Sequence, residues 1–359
     1  MTTSGGSDGV ASVIVGVDTH LDEHVAVAID HHGARVGEYR LATTAKGYED
    51  LESWAIGLGE VAIFGIEGTG SYGAGLARYV AQCGHTVIEV NRPDRSTRRR
   101  LGKSDPLDAE MAARSVLAGV ARESPKSGVD EVEMIRVLKI VKDSAMKART
   151  QAINQMKALV VTAPVELRKE LAALDARRLV DRCRSFRPGR LTTPAPAAKY
   201  ALRLLARRHS QLSSEIEGVD EELVRLTAKT APALVHTFGV GADTAATLLV
   251  TAGSNPERLR SEPAFAALCG VNPIPASSGK TDRHRLNRGG DRQANAALYR
   301  IVLVRLRYDE RTREYMRRRT REGMTKPEVI RCLKRYVARQ VFAILSEMGR
   351  KNLAVLAAA

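Results

Sequence analysis

Between residues 198 and 226 the apolar positions Ala198, Leu202, Leu205, His209, Leu212, Ile216, Val219, Leu223 and Leu226 alternate in steps of four and three. A spacing this strict commits the segment to one long helix with a narrow buried seam, as in a coiled coil. A looser run precedes it: Met134, Leu138, Val141, Ala145, Ala148, Ala152, Met156 and Leu159. "RSFRPGRLTTPAPA" separates the two with proline and glycine, so they predict an antiparallel pair or an arm. His209, a lone polar residue at a seam position, reads as a register-setting residue rather than a ligand.

The flanks differ from this centre. Residues 13–120 alternate strand and helix signals. "SVIVGVD", "HVAVAID" and "ARVGEYRLA" read as an antiparallel meander around the turns "THLDE" and "HHG". A helix ("KGYEDLESWAIGL"), a strand ("EVAIFGIE"), a helix after "GTGSYG", a strand ("HTVIEV") and a helix from Asp105 follow. That order predicts an α/β mixed sheet. From about residue 231 the chain reads as mostly helical, with a Pro/Ser/Gly loop at its centre. The expected division is therefore 1–125, 126–230 and 231–359.

Composition narrows the partners. The chain has 56 Lys and Arg against 41 Asp and Glu, a net charge of +15, which favours a polyanion, most simply nucleic acid. No apolar run approaches the length of a spanning helix, and the polar "MTTSGGSDGV" start does not resemble a secretory leader. A cytoplasmic, nucleoid-associated protein is the expectation. Cys83, Cys183, Cys269 and Cys332 are widely spaced and read as reduced, mostly buried thiols rather than zinc ligands. His20 and His24 have helical ligand spacing but fall at a strand and its turn, and read as surface residues. At 4% aromatic residues, a single-strand binder built on base stacking is disfavoured.

Within this frame "GKSDPLDAEMAAR" raises a question, because it sets Asp105 and Asp108 behind the basic run "RPDRSTRRRLGK". One reading is a helix start, with Asp105 as N-cap, Pro106 at the first helical position and Asp108 near the positive dipole end. The other is a pair of carboxylates on one face, holding a divalent metal against a phosphate. Asp18 ends the first strand and Glu67 ends the strand after the first helix. Strand ends and helix starts on one sheet edge converge. Four carboxylates there need cations, and two Mg2+ ions (with Mn2+ as the alternative) would serve phosphodiester chemistry. Arg92, Arg95, Arg98, Arg99, Arg100 and Lys103 lie beside the acids and read as strand contacts. In the last region, "GVGADTAATLLV" is either a phosphate-approaching glycine turn or a plain interhelical turn. Lys280, Arg283, Arg285, Arg288 and Arg292, with the little-balanced run Arg317, Arg318 and Arg319, are further candidates for phosphate contact.

The meander and its acid positions resemble the RNase H/RuvC type of nuclease fold. More closely, the chain resembles the insertion-sequence-110 family of DEDD transposases and Piv-like invertases. The matching stretches are "VGVDTH", "IEGTGSYG" and "KSDPLDAEMAAR", then "GVGADTAATLL", "AFAALCGVNPIPASSGK" and "RLNRGGDRQANAALYRIVLVRLR". The resemblance implies a RuvC-like DEDD domain at 1–125, a coiled-coil region at 126–230 and a transposase domain with a catalytic serine at 231–359. It maps that serine onto Ser278, with Ser277 adjacent, and implies a covalent serine–DNA intermediate. It also implies donor and target DNA, a structured noncoding guide RNA, and a homodimer or homotetramer in which acids and serine meet across protomers. Three rivals stand beside it. An actin-like or sugar-kinase-like phosphotransferase would need a second glycine-rich phosphate loop in a repeated sheet domain, whereas the second half here reads as helical and arginine-rich. A RuvC-like metal-dependent nuclease or junction resolvase would form no covalent intermediate. A catalytically silent RNA- or DNA-binding scaffold would have no use for the acids and the serine.

Overall fold

The computed structural model describes residues 12–90, 104–126, 128, 130–253, 259–277 and 284–358. The chain forms two compact units, one of residues 1–128 with 253–260 and one of 129–252 with 261–359.

In the first unit, β1 (Ser12–Thr19), β2 (Glu23–Asp30) and β3 (Arg35–Ala42) form the expected meander, followed by α1 (Ala45–Leu58), β4 (Glu60–Glu67), α2 (Ala74–Gln82), β5 (Val87–Val90) and α3 (Asp105–Leu117). The sheet order is β3-β2-β1-β4-β5, with β1 antiparallel to β2 and parallel to β4. β1 and β2 are buried on both faces and read as nearly continuous apolar runs, whereas the edge strand β3 is largely exposed and carries Arg35, Glu38 and Arg40. Val15, Val17, Ala26, Ala28, Phe64 and Ile66 pack against Leu51 and Leu76 on one side. On the other, Val25, Val27 and Ile29 meet Ala109 and Ala113 of α3.

Two glycines decide how closely α3 lies. Gly16 and Gly65 are register partners on β1 and β4. A Cβ on Gly16 would stand 2.1 Å from the Ala109 carbonyl oxygen, and one on Gly65 would meet Val116 at 2.7 Å. Asp18 and Glu67 each lie two residues further along, on the same face of the sheet. The glycines that seat α3 thereby bring its first turn to both acids.

The start of α3 corrects the capping expectation. Ser104, extended at φ −149° and ψ 147°, is the N-cap, and Asp105 is already the first helical residue. The Asp108 amide donates to the Ser104 carbonyl (3.0 Å), so the hydrogen-bond ladder begins one residue earlier than expected.

The second unit is helical. Helices α4 (Glu131–Thr162) and α7 (Pro194–Thr230) form the antiparallel pair that the heptads predict. Its sense follows from the ion pairs Glu131–Lys229 (2.8 Å) and Lys142–Asp220 (2.5 Å). Leu202, Ile216, Leu223 and Leu226 of α7 are buried, as are Ala145, Ala152 and Met156 of α4. The early part of the first run is displaced: Met134 and Val141 are exposed, and Ile135 and Lys142 take the inward positions. A helix of 3.6 residues per turn drifts from an imperfect heptad. A third helix, α9 (Ala242–Ala252), also packs on both partners here.

Two short helices, α5 (Val165–Leu171) and α6 (Ala176–Arg184), close the far end of the pair. Leu167, Leu171, Leu179, Val180 and Phe186 pack there with Met156 and Leu202. Each such side chain contributes about 1.5–3 kcal/mol by leaving water. The remainder comprises α8 (Pro232–Val235), α9, α10 (Glu262–Leu268), a two-stranded hairpin of β6 (Pro273–Pro275) and β7 (His284–Leu286), α11 (Arg292–Tyr308), α12 (Glu310–Arg321) and α13 (Lys326–Ala358). Among the described residues, no helix is long and apolar enough to cross a membrane.

Candidate active site

The acid site is assembled by β1, β4 and α3. Asp18, Glu67 and Asp108 are 6%, 7% and 5% exposed, which is unusual for carboxylates unless something compensates their charge. Thr19 ties the two strand ends together by donating from Oγ1 to the Glu67 carbonyl (2.9 Å). Burial pushes the Asp18 carboxyl above its ordinary range. His20 opposes this shift, while the charges of Glu67, Asp108 and Asp105 reinforce it.

His20, read from the sequence as a surface residue, is half-exposed but belongs to this site. Its Nε2 lies 3.2 Å from Asp18 Oδ2 and 3.4 Å from Asp105 Oδ1. One ligand atom from each of Asp18, His20 and Asp105 falls within 4.8 Å of the others. The donor set suits a divalent cation: hard carboxylate oxygens dominate, their mutual repulsion calls for positive charge, and one imidazole nitrogen completes the group. The sequence signal was the "DTH" step itself, which places an imidazole two residues beyond an acid at a strand end.

His24 is corrected, from surface to fully buried. Strand alternation puts it in phase with Ala26 and Ala28, where its ring stacks on Tyr48 of α1 with centroids 6.1 Å apart. The His20 backbone N–H donates to its Nδ1 (3.3 Å), so His24 props the turn that carries His20. Burial lowers the pKa of His24, which favours the neutral, accepting ring.

The serine region is a hairpin. Ser277 follows β6 by two residues and is exposed, whereas Ser278, Lys280 and Arg283 lie outside the described residues. Side-chain amides hold the hairpin's base. Asn287 Nδ2 donates to the Ala267 carbonyl (3.0 Å) and to Asn272 Oδ1 (2.8 Å). Asn295 Nδ2 reaches the carbonyls of Cys269 and Gly270, both at 3.0 Å, and its Oδ1 accepts from Lys334 Nζ (2.7 Å). Asp291 caps α11 through the amides of Gln293 and Ala294 and accepts from Thr251 Oγ1 (3.1 Å). Gly290 has no room for a Cβ, which would meet the Gly270 nitrogen at 2.2 Å. Much of "RLNRGGDRQAN" is therefore a clamp, a role that sequence reasoning did not assign.

The candidate phosphate contacts divide three ways. Arg92, Arg95, Arg98, Arg99, Arg100 and Lys103 lie outside the described residues. Arg285, Arg288 and Arg292 are exposed around β7 and the start of α11. The run on α12 is better balanced by acid than its sequence suggested. Arg317 pairs with Glu310 and Arg319 with Glu322, while Arg318 lies over the Tyr315 ring at 5.4 Å.

Asp243, from "GVGADTAATLL", is a structural hub. It accepts from Lys139 and Lys142 of α4 (both 2.7 Å) and from Arg300 of α11 (2.8 Å). Burial alone would raise its pKa, but the lysine hydrogen bonds outweigh burial and hold it well below the usual carboxylate range.

Comparison with known families agrees with this geometry. A transposase model of the DEDD type of IS110 matches residues 15–163, and the model described as the transposase IS116/IS110/IS902 family matches residues 231–317. No curated protein matches the chain. The first match contains the four acids of the sheet edge, and the second contains the serine hairpin and its clamp. The chain belongs to the IS110 family of transposases.

Proposed function

We propose that the protein cleaves and rejoins the DNA of an insertion sequence through a serine–DNA covalent intermediate. The observation that carries this reading is the meeting of Asp18, Glu67 and the first turn of α3 at one sheet edge, in a family whose members are transposases. Asp18, Glu67, Asp105 and Asp108 would hold two Mg2+ ions, or Mn2+, which when bound activate an attacking hydroxyl and neutralise the leaving oxygen. His20 stands beside Asp18 and Asp105 as a further donor. The Ser278 hydroxyl, with Ser277 as its neighbour, attacks the scissile phosphorus. An Oγ–P bond forms, the P–O bond to one deoxyribose breaks, the serine proton is lost, and the departing oxygen takes up a proton. The phosphoserine keeps the bond energy for rejoining.

The proposed organisation is a nuclease domain at 1–125, a coiled-coil region at 126–230 and a serine-bearing domain at 231–359. Arg92, Arg95, Arg98, Arg99, Arg100, Lys103, Lys280, Arg283, Arg285, Arg288, Arg292 and Arg317 to Arg319 serve phosphate contact. A structured noncoding RNA guides a homodimer or homotetramer to donor and target DNA, in the cytoplasm at the nucleoid.

A suicide DNA substrate tests the chemistry. It should trap a covalent adduct that mass spectrometry maps to Ser278, and Ser278→Ala should abolish adduct and recombination together. An adduct on Ser277 would move the nucleophile by one residue. Cleavage without any adduct would replace this mechanism with metal-dependent hydrolysis by a RuvC-like site.

A further inference from the structure

The charge of the helical hairpin is concentrated at one end. Residues 144–210, which span the far halves of α4 and α7 with α5 and α6 between them, hold fifteen Lys and Arg against four Asp and Glu. That is +11 of the chain's +15. The opposite end, residues 131–143 with 211–230, holds five basic residues against eight acidic ones.

Three of the four acids at the basic end are already engaged: Glu166 with Lys169, Glu170 with Arg182, and Asp175 with Arg178. Arg177, Arg184, Arg187, Arg190, Arg207 and Arg208 are exposed and have no acidic partner among the described residues. Leu179, Val180, Cys183 and Phe186 are buried at this end, so Arg177 and Arg184 stand on a packed helix, while Arg187 and Arg190 lie in the segment joining α6 to α7. Crowded like charges are unfavourable until an external anion neutralises them.

We propose that this tip is a docking surface for the phosphate backbone of duplex DNA. The inference rests on the protein acting on DNA, but not on the serine or the metal. A single strand is a poor fit, because Phe186 and Tyr200 are the only aromatic residues in the stretch and Phe186 is buried. A second copy of the tip is disfavoured because it brings the same charge. The outward face of α4 adds hydrogen-bond donors of the kind that phosphates use, with Lys147, Thr150, Gln151, Asn154 and Gln155 along a shallow groove. The pair is pinned near residue 142 by Asp243, and the 37 residues of α7 reach about 55 Å. Contact at the tip therefore adds roughly one helical turn of DNA to whatever the rest of this unit covers.

The test uses the full chain and a labelled duplex of about 20 base pairs, two helical turns. Affinity is measured across salt for the parent, for R177Q/R184Q/R187Q/R190Q and for the matching Arg→Lys quadruple. The glutamine variant should lose about 3–4 from the slope of log K against log salt, with affinity about tenfold lower or worse at physiological salt, and the lysine variant should keep both. An unchanged slope in the glutamine variant overturns the proposal. A loss seen only with duplex RNA of the same sequence overturns it in favour of RNA. An unchanged DNA slope with a smaller species on a sizing column reassigns the tip to contacts between copies. A parent chain that binds no duplex DNA would instead overturn the DNA-acting reading itself, which keeps the two failures apart.

Discussion

The two units hold their candidate site residues in place by opposite means. The sheet unit does it by contact: Gly16 and Gly65 let α3 settle on β1 and β4, and the acids arrive at one edge because the backbones approach so closely. The helical unit does it with polar pins. Asp243 ties α9 to α4 and α11, and Asn287 and Asn295 clamp the hairpin that leads to the serines. Contact-built sites fail when atoms are added, and pin-built sites fail when charge or hydrogen bonding is removed. Variants in each unit should therefore show opposite sensitivities.

The largest effect expected is on activity in the sheet unit. Asp18→Asn should reduce strand cleavage about a thousandfold or more, the scale of losing a metal's charge stabilisation. The fold should survive. Because burial and neighbouring carboxylates raise the Asp18 pKa above 3.8, its ionised form costs stability as pH rises through that range. Without divalent ions, the variant should melt at or above the parent's temperature at pH 7. Adding Mn2+ should raise the parent's melting temperature more than the variant's. A variant that melts well below the parent without metal would show that Asp18 is a structural residue.

Asp243→Asn attacks the pins. Among the described residues, Lys142, 8% exposed at its side chain, would lose one of its two carboxylate partners, and Lys139 would keep only Asp143 at 3.5 Å. Breaking a buried pair in this way costs about 3–5 kcal/mol. The sign of the pH effect follows from the depressed Asp243 pKa. Its stabilisation is complete above the ordinary value of 3.8 and is lost as pH falls below it. Urea midpoints between pH 6 and about pH 3 should fall for the parent and fall less steeply for the variant. Equal slopes would mean that the network contributes nothing to acid sensitivity.

What the sequence made legible follows the same division. Contact-built features have periodicities: alternating β-branched strands, acids at strand ends and the 4-3 seam of α7 could all be read directly. Polar pins leave no period. Asn287, Asn295 and Asp243 are single polar residues whose side chains reach partners 15 to 104 positions away, beside a local bond from the Gly289 amide to Asn287. β6 and β7 are three residues each, β6 contains two prolines, and neither offers a strand pattern. His20 is exposed, as its place at a turn suggests, but its neighbour Asp105 arrives only when α3 is seated, so spacing along the chain could not show that pairing. His24 was misjudged because β2 is apolar on both faces, so alternation could not say which residues are covered. At Asp105 the N-cap reading lost by a single residue, because Ser104 takes the extended capping conformation instead.

Asn295→Ala would leave the carbonyls of Cys269 and Gly270 short of a donor and Lys334 without its acceptor, costing about 1–3 kcal/mol. In the serine reading, adduct formation should fall further than this loss of stability explains, while metal affinity at the sheet unit stays unchanged. Titrating Mn2+ by its electron-spin resonance alongside the trapping assay separates the two. A matching fall in metal affinity would show that the variant unfolds generally rather than loosening the hairpin.

The smallest effect sharpens the comparison by using one substitution at two places. Gly16→Ala puts a methyl against the Ala109 carbonyl, so α3 must move. That should cost about 1–3 kcal/mol and weaken Mn2+ binding, because Asp105 and Asp108 travel with the helix. Gly218 lies within α7, where an added Cβ meets nothing within 4 Å. Gly218→Ala introduces no clash and reduces the freedom of the unfolded chain, so it should stabilise the protein by about 0.5–1 kcal/mol. The same added methyl thus has opposite signs in the two units, readable as opposite shifts in urea midpoint. If Gly16→Ala were also stabilising, close approach of α3 to β1 would not be what assembles the acids. The glycine in "VGVD" would then need a different explanation from the one the sheet edge provides.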